Sequence, residues 1–409
     1  MTLIDKKLLN KILYHVEKPG RYVGGEHNMF LKDWHSVDTR LALAFPDIYD
    51  LGQANLGLSI LYELVNDRPK LLAERVFTPW HDMETAMREN RIPLFSLESK
   101  TPIKDFDILG VTLPYESIYT NVLNLLDLSD IPIRSAQRDT SHPLVFAGGQ
   151  ACFNPEPMAD FIDAFAIGDG EEVIFEIIRT YQEWKSKNLD KNALLKSLAK
   201  ISGVYVPSLY EVSYFDDGSI KQVGPIENDV PKTVLKRISP TLPAPIKKQI
   251  VPNIQIVHDR IAVEIMRGCT RGCRFCHAGI VNRPVRQRNP EDILEAIELG
   301  VKATGYEDLS LLSLSSSDHT QILDITKAVY EQNKTRRLSV SLPSLRIESF
   351  SVDLMDELKD LRPGGGFTIA PEAATDRMRT IINKPLDDEI LFETVETIFS
   401  HGWLNLKMY

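Results

Sequence analysis

Cys269, Cys273 and Cys276 stand in one short loop with the spacing C-x3-C-x2-C, and they are three of only 4 cysteines in the 409-residue chain. Cysteine thiolates are the usual protein ligands of iron–sulfur clusters, so three in so tight a loop can hold one. A cubane cluster has four irons, and three ligands leave one iron open to a small molecule. Gly268 and Gly272 suit the turns that bring three sulfurs around one cube. The competing reading is a zinc site, which normally takes four ligands. His277 is the nearest further donor, but it adjoins Cys276, a poor geometry for a tetrahedron. Cys152, far upstream after a strand-like run, is open as a fourth ligand or, more commonly for such a residue, as packing.

What positions such a loop is the short apolar run before it. Residues 261–265 read as a strand that opens a new alternation of strands and helices. Asn289-Pro290-Glu291-Asp292 starts a helix with proline in its first turn, and Ile293, Leu294, Ile297 and Val301 face the core. Strands are expected at 309–314, 338–342, 366–370 and 404–409, with helices at 321–331, 354–361 and 390–400. In a barrel of this kind functional residues gather at the carboxyl ends of strands. Asp318 is also well placed to cap the helix that follows it. Arg283, Arg286 and Arg288 suit a phosphate or RNA contact or, more simply, a solvated face.

The preceding half repeats the alternation. Strands at 41–46, 73–77, 108–113, 144–147 and 164–167 are separated by helices at 56–65, 82–90, 118–126 and 172–187. Their continuous apolar character argues for a parallel sheet covered on both faces, with ligands beyond the carboxyl ends of the strands. Gly148-Gly149 and Gly168-Asp169-Gly170 fall at two such ends. Asp47, Tyr49, Asp50, Glu84, Tyr115 and Glu116 are candidate cavity-wall residues, although each taken singly reads as a solvated loop residue. Another helix is expected at 189–201, and residues 203–223 alternate around Asp216-Asp217-Gly218, a hairpin signal. Pro240, Pro243, Pro245 and Pro252 mark an extended linker. The division expected is residues 1–200, a Rossmann-like domain; 201–255, hairpin and linker; and 256–409, the domain with the cysteine loop.

Composition adds boundaries. Hydrophobic content of 43% and charged content of 25% describe an ordinary globular protein. A formal charge of −10 gives no global basic footprint for nucleic acid. No apolar run approaches the roughly 18 residues of a membrane span, and residues 1–20 are charged and amphipathic, without an export core. Few cysteines and a reducible cluster motif point to the cytoplasm.

The cysteine loop, with Phe275 just before its third cysteine, resembles the cluster motif of the radical S-adenosylmethionine (radical SAM) superfamily. With L-x-S-L-S-S-S-D, L-P-S-L-R, A-P-E-A-A and I-N-K downstream, it resembles one uncharacterised family in which a cobalamin (B12)-binding-like domain precedes the barrel. Ala44-Phe45-Pro46-Asp47-Ile48-Tyr49 and Asn154-Pro155-Glu156-Pro157 fit that family too. The resemblance implies a Rossmann-like parallel-sheet domain followed by a partial (β/α) TIM-type barrel. It implies a [4Fe-4S] cluster on Cys269, Cys273 and Cys276 whose open iron binds S-adenosylmethionine, with a 5'-deoxyadenosyl radical released on one-electron reduction. It places Asp318 at the methionine amino group, Ser341 and Arg346 near ribose and carboxylate, and Glu372 at the cofactor. Serines replace the usual glycines before Asp318, and Ala374 stands for glycine after Glu372.

Cobalamin and a corrin-free docking fold are both open. Asp33-Trp34-His35 begins the D-x-H-x-x-G pattern whose histidine ligates cobalt, but Asp38 occupies the glycine position and the motif precedes the first strand. An enzyme of this kind implies a substrate (small molecule, RNA or protein), an electron donor such as flavodoxin or ferredoxin, and no membrane. Sulfur insertion often uses a second cluster with three more cysteines, and only Cys152 is left. The chain reads as incomplete at its carboxyl end, because it stops within the fifth strand of a barrel that normally has about six strand–helix units. A noncatalytic iron–sulfur or corrinoid sensor is the alternative reading.

Overall fold

The strand β1 (Thr39–Phe45) buries Leu41, Ala42, Leu43 and Ala44, so consecutive side chains are covered on opposite faces of the sheet. Such a strand needs helices on both sides and neighbours along both edges. The computed structural model describes residues 4–333, 336, 338–346 and 366–409, and it supplies both. β2 (Leu71–Phe77), β3 (Ile108–Thr112), β4 (Leu144–Gly148) and β5 (Ala164–Ala166) join β1 in the order β2-β1-β3-β4-β5, all parallel. β6 (Val204–Tyr205) continues the sheet antiparallel to β5. Val204 and Tyr205, expected in a hairpin, therefore belong to the main sheet. The hairpin itself is β7 (Tyr210–Tyr214) and β8 (Ile220–Pro225).

The two faces of the sheet carry separate apolar layers. Ala42, Ala44, Val111 and Val145 pack with Met83, Met87, Val122 and Leu125 of the helices His81–Asn90 and Tyr119–Leu128. Leu41, Leu43 and Phe146 pack with Leu58, Val65, Ile174 and Ile177 of the helices Leu56–Asn66 and Gly170–Lys187.

The edge strand β2 holds an arginine where apolar cover would be expected. Arg75 is 2% exposed, with its Nη1 and Nη2 donating to Glu26 at 3.0 and 2.9 Å and its Nε to Glu98 at 2.7 Å. Gln53 accepts from Nη1 at 2.6 Å, and the guanidinium lies 5.2 Å from the Tyr62 ring centre. This network ties the segment around Glu26 to the sheet edge and gives the carboxylates of Glu26 and Glu98 a shared cation.

The chain forms two units, Met1–Ser239 with Ile250–His258 and Pro240–Gln249 with Asp259–Tyr409. In the second, β9 (Ile261–Glu264) is followed by β10 (Met266–Arg267) and β11 (Arg286–Gln287), an antiparallel pair that flanks the cysteine loop. β12 (Asp308–Leu312) lies between β9 and β13 (Ser339–Ser341), all parallel. β14 (Gly366–Ile369) and β15 (Asn405–Met408) form a further parallel pair. Helices Pro290–Thr304 and Ile322–Asn333 intervene, as in a partial (β/α) barrel. The helix expected at 354–361 lies outside the described residues.

Candidate functional site

The cysteine loop starts where β9 and β10 end. Gly268 has φ +88°, and a Cβ there would lie 2.7 Å from the carbonyl oxygens of both Asn282 and Pro284, so only glycine allows the loop to turn back against that segment. Cys276 caps the helix His277–Val281, its sulfur accepting from the Gly279 amide at 3.3 Å. Cys269 Sγ accepts from the Arg271 amide at 3.4 Å, and Cys273 Sγ from Arg346 Nη2 at 3.9 Å. Each of the three sulfurs thus receives an N–H donor, and hydrogen bonds to the sulfurs tune a cluster held by them. The donor set is all thiol, which suits iron–sulfur ligation. Among the described residues no three His, Cys, Asp or Glu side chains group as one metal ion would require. Cys152 is fully buried in the first unit's core, where burial pushes its thiol well up, so it packs as an inert small residue.

Arginines hold the loop from several directions. Arg283 donates to the carbonyls of Cys269 (3.4 Å) and Arg271 (2.6 Å). Arg286, buried, reaches the carbonyls of Pro284 and Asn282, and Arg288, also buried, those of Glu264 and Pro243. The expectation of a solvated or anion-binding face is overturned at Arg286 and Arg288, which are buried with donors directed at backbone carbonyls around the loop, while Arg283 stays exposed beside its two carbonyls. Those carbonyls come from segments up to 45 positions away in sequence, which no local pattern reveals. His319 is buried nearby, its Nε2 donating to the Arg288 carbonyl at 3.1 Å, and burial holds the ring below its ordinary pKa.

Of the residues that the resemblance put at the cofactor, Asp318 and Arg346 contact this loop. Asp318 accepts from Arg271 Nη2 at 3.0 Å and Nε at 3.3 Å, and from the Ser315 hydroxyl at 2.8 Å. Arg346 reaches Cys273, while its amide donates to Ser317 Oγ at 3.1 Å. Glu372, with φ +66°, is paired with Lys384 at 3.1 Å. Ser341 sits lower on the strands: it pairs in register with Ser310, two positions before the end of β12, and its hydroxyl contacts Ser310 Oγ at 3.1 Å and the Leu309 carbonyl at 3.2 Å. Sequence reasoning missed Arg271 as the partner of Asp318 and Lys384 as the partner of Glu372. Arg271 lies inside the C-x3-C interval and Lys384 inside I-N-K, both quoted without a role for either side chain.

In the first unit the strand order reverses between β1 and β3, the switch point at which such sheets bind ligands. Asp47 follows β1 and Tyr115 follows β3; burial, and then the Asp47 charge, raise the Tyr115 phenol. Gly149, after β4, has φ +124°, and a Cβ there would lie 2.4 Å from the Leu113 carbonyl oxygen. Tyr49 and Asp50, candidates for the same wall, are buried and engaged elsewhere, Tyr49 with Glu26 at 3.0 Å and Asp50 with Arg21 at 2.6 Å. His35 lies in the turn before β1, at the amino ends of the strands and so opposite the switch-point crevice.

Comparison with known families bears on both units. Residues 57–207 match the family described as radical SAM proteins, N-terminal, and residues 263–408 match the radical SAM superfamily. The uncharacterized protein MJ0966 of Methanocaldococcus jannaschii is 26% identical over 325 residues, covering 79% of this chain and 62% of that one. The ribosomal protein uS12 methylthiotransferase RimO of Desulfotalea psychrophila is 25% identical over 148 residues, 35% of this chain and 33% of that one. The chain therefore spans less than two thirds of the length of either relative. Among solved structures it is similar to the radical S-adenosylmethionine methyltransferase TsrM of Kitasatospora setae, with cobalamin and a [4Fe-4S] cluster bound. The TM-score is 0.59 at 14% identity, covering 91% of this chain and 69% of that one, a likeness of fold.

Proposed function

Because the chain belongs to the radical SAM superfamily, we propose that it is an enzyme in which Cys269, Cys273 and Cys276 hold a [4Fe-4S] cluster beside a site for S-adenosylmethionine. The observation that carries this reading is the loop itself, whose three sulfurs each face an N–H donor. A bound cluster would supply one electron for reductive cleavage of S-adenosylmethionine to methionine and a 5'-deoxyadenosyl radical able to abstract hydrogen from the substrate. The chain's own residues bind and orient. Arg346 presents a planar fork that suits the methionine carboxylate. Asp318, aimed by Arg271 and Ser315, offers a carboxylate to the methionine ammonium. Glu372, held by Lys384, completes the set of acids, and Ser341 contributes to a polar strand face with Ser310.

A corrinoid suits the switch-point crevice bordered by Asp47, Tyr115 and Gly149, with no cobalt ligand from His35. The architecture shared with TsrM supports this. Substrate and reductant follow from the class of reaction: an unidentified small molecule, RNA or protein, and a low-potential one-electron carrier such as flavodoxin or ferredoxin. Among the described residues no helix is long and apolar enough to cross a membrane; we place the enzyme in the cytoplasm on its thiol-rich, reducible site.

The test is electron paramagnetic resonance of the anaerobically reconstituted, reduced protein with and without S-adenosylmethionine, together with detection of 5'-deoxyadenosine. A cubane signal that moves on adding the cofactor is the expected result. Folded protein that assembles no cluster would sink the reading.

A further inference from the structure

Of the I-N-K segment only Lys384 enters the reading above, yet the segment touches both halves of the site. The helix Asp376–Ile381 ends there, and Asn383 takes φ +56°, a conformation that asparagine and aspartate tolerate better than most residues. Asn383 Nδ2 donates to the Gly272 carbonyl at 2.8 Å, inside the cysteine loop. The Arg274 amide donates to the Ile382 carbonyl at 2.9 Å, and the Arg274 guanidinium to the Ile381 carbonyl. One residue further on, Lys384 Nζ donates to Glu372 Oε1 at 3.1 Å, and the Lys384 side chain is the less exposed of the pair, 15% against 31%. The loop between is braced by buried Arg379, which donates to the Ala373 carbonyl at 3.2 Å and pairs with Asp376 and Asp388. Adjacent residues of one short turn thus hold the backbone between two cysteines on one side and the carboxylate of Glu372 on the other.

We propose that Asn383 and Lys384 are positioning residues that set the separation between the cysteine loop and Glu372. Neither touches the reacting atoms. Asn383 fixes Gly272, the residue immediately before Cys273, and Lys384 fixes the acid. Their neighbouring places in the chain make the two constraints one. Gly272 is part of the device, because a Cβ there would lie 2.9 Å from Asn383 Nδ2 and push the amide off its carbonyl. The inference rests on the assignment of the cysteines and Glu372 to the cofactor site.

The experiment compares the full chain with Asn383→Asp, Gly272→Ala and Lys384→Met. Asn383→Asp keeps tolerance of the positive φ while removing the donor, so it isolates the hydrogen bond from backbone strain. In protein without cluster, alkylation of Cys273 by iodoacetamide, mapped by mass spectrometry, should quicken at least about 3-fold in Asn383→Asp and Gly272→Ala, with circular dichroism unchanged. In reconstituted protein these variants and Lys384→Met should bind S-adenosylmethionine roughly 3- to 10-fold more weakly, the scale of one lost hydrogen bond, at wild-type iron content. Unchanged alkylation in both loop variants, or cofactor affinity within twofold of wild type in all three, overturns the proposal. A faster alkylation in the variants alongside a wild-type protein indifferent to S-adenosylmethionine would instead leave the clamp standing and overturn the cofactor assignment.

Discussion

Replacing Arg346 by methionine should lower the reduction potential of the cluster. Its Nη2 lies 3.9 Å from Cys273 Sγ, so a unit positive charge sits against one proposed ligand of a centre that would gain negative charge on reduction. At that distance two unit charges in an effective dielectric near 20 interact by about 4 kcal/mol. The cluster spreads its charge over several atoms and Arg346 is partly exposed, so solvent and counterions reduce the difference to about 1–2 kcal/mol. One tenfold step is about 1.36 kcal/mol and about 59 mV for one electron, which gives a fall of roughly 40–90 mV. Methionine matches the length of the side chain without its charge. Arg346→Lys, which keeps charge but not the fork, should fall by less. The assay is a redox titration followed by electron paramagnetic resonance, without S-adenosylmethionine so that cofactor binding does not enter. A potential that stays within about 10 mV, or rises, would refute the electrostatic role assigned to Arg346.

Arg75→Met should cost about 3–5 kcal/mol in the first unit's unfolding, because it strands the buried carboxylates of Glu26 and Glu98. Burial alone would raise the Glu26 carboxyl, but Arg75 outweighs it and holds the group below its ordinary value, so the stability it adds is present above about pH 4.5 and is lost as pH falls through the lowered value. In the variant burial is opposed only by hydrogen bonds such as that from Tyr49, and the gap in denaturation midpoint from wild type should narrow between pH 8 and pH 5; a constant gap would contradict this. Burial pulls Lys100 down to about 8. The unfolded chain then keeps a proton that the folded chain has lost, so stability should rise from about pH 8 toward the ordinary lysine value near 10.4. Lys100→Met should flatten that rise in thermal melts across the same range, and an equal slope in both proteins would count against it.

The strands of both units were legible because each is a run of apolar residues too short for a helix and bounded by turns. β6, β10 and β11 were not, since each is two residues long and its place is decided by the strand beside it. The cysteine loop was legible from spacing alone, because the chemistry requires three sulfurs close together in the chain. What holds the loop was hidden. Arg271 meets Asp318 across 47 positions, Asn383 meets Gly272 across 111, and neither separation has a period or a composition that marks it. The buried pairs of Arg75 were hidden for the same reason, and Arg75 read simply as part of a strand. Arg286 and Arg288 show the converse error, since a charge run reads as surface until the carbonyls that it satisfies are known.

The path of the chain between its two units bears on how such proteins are inherited. Residues Pro240–Gln249 belong to the second unit, but Ile250–His258 returns to the first before the chain leaves it again. That return strip is woven in: Val251 bridges His27, Asn253 donates to the Gly24 carbonyl at 2.9 Å, and a Cβ on Gly20 would lie 2.3 Å from Ile254 Cγ2. A gene cut at either crossing would separate one unit from a piece of itself. Shuffling of these units between proteins must therefore carry the strip across intact, and the pair is expected to travel through evolution as a single cassette, not as two exchangeable modules.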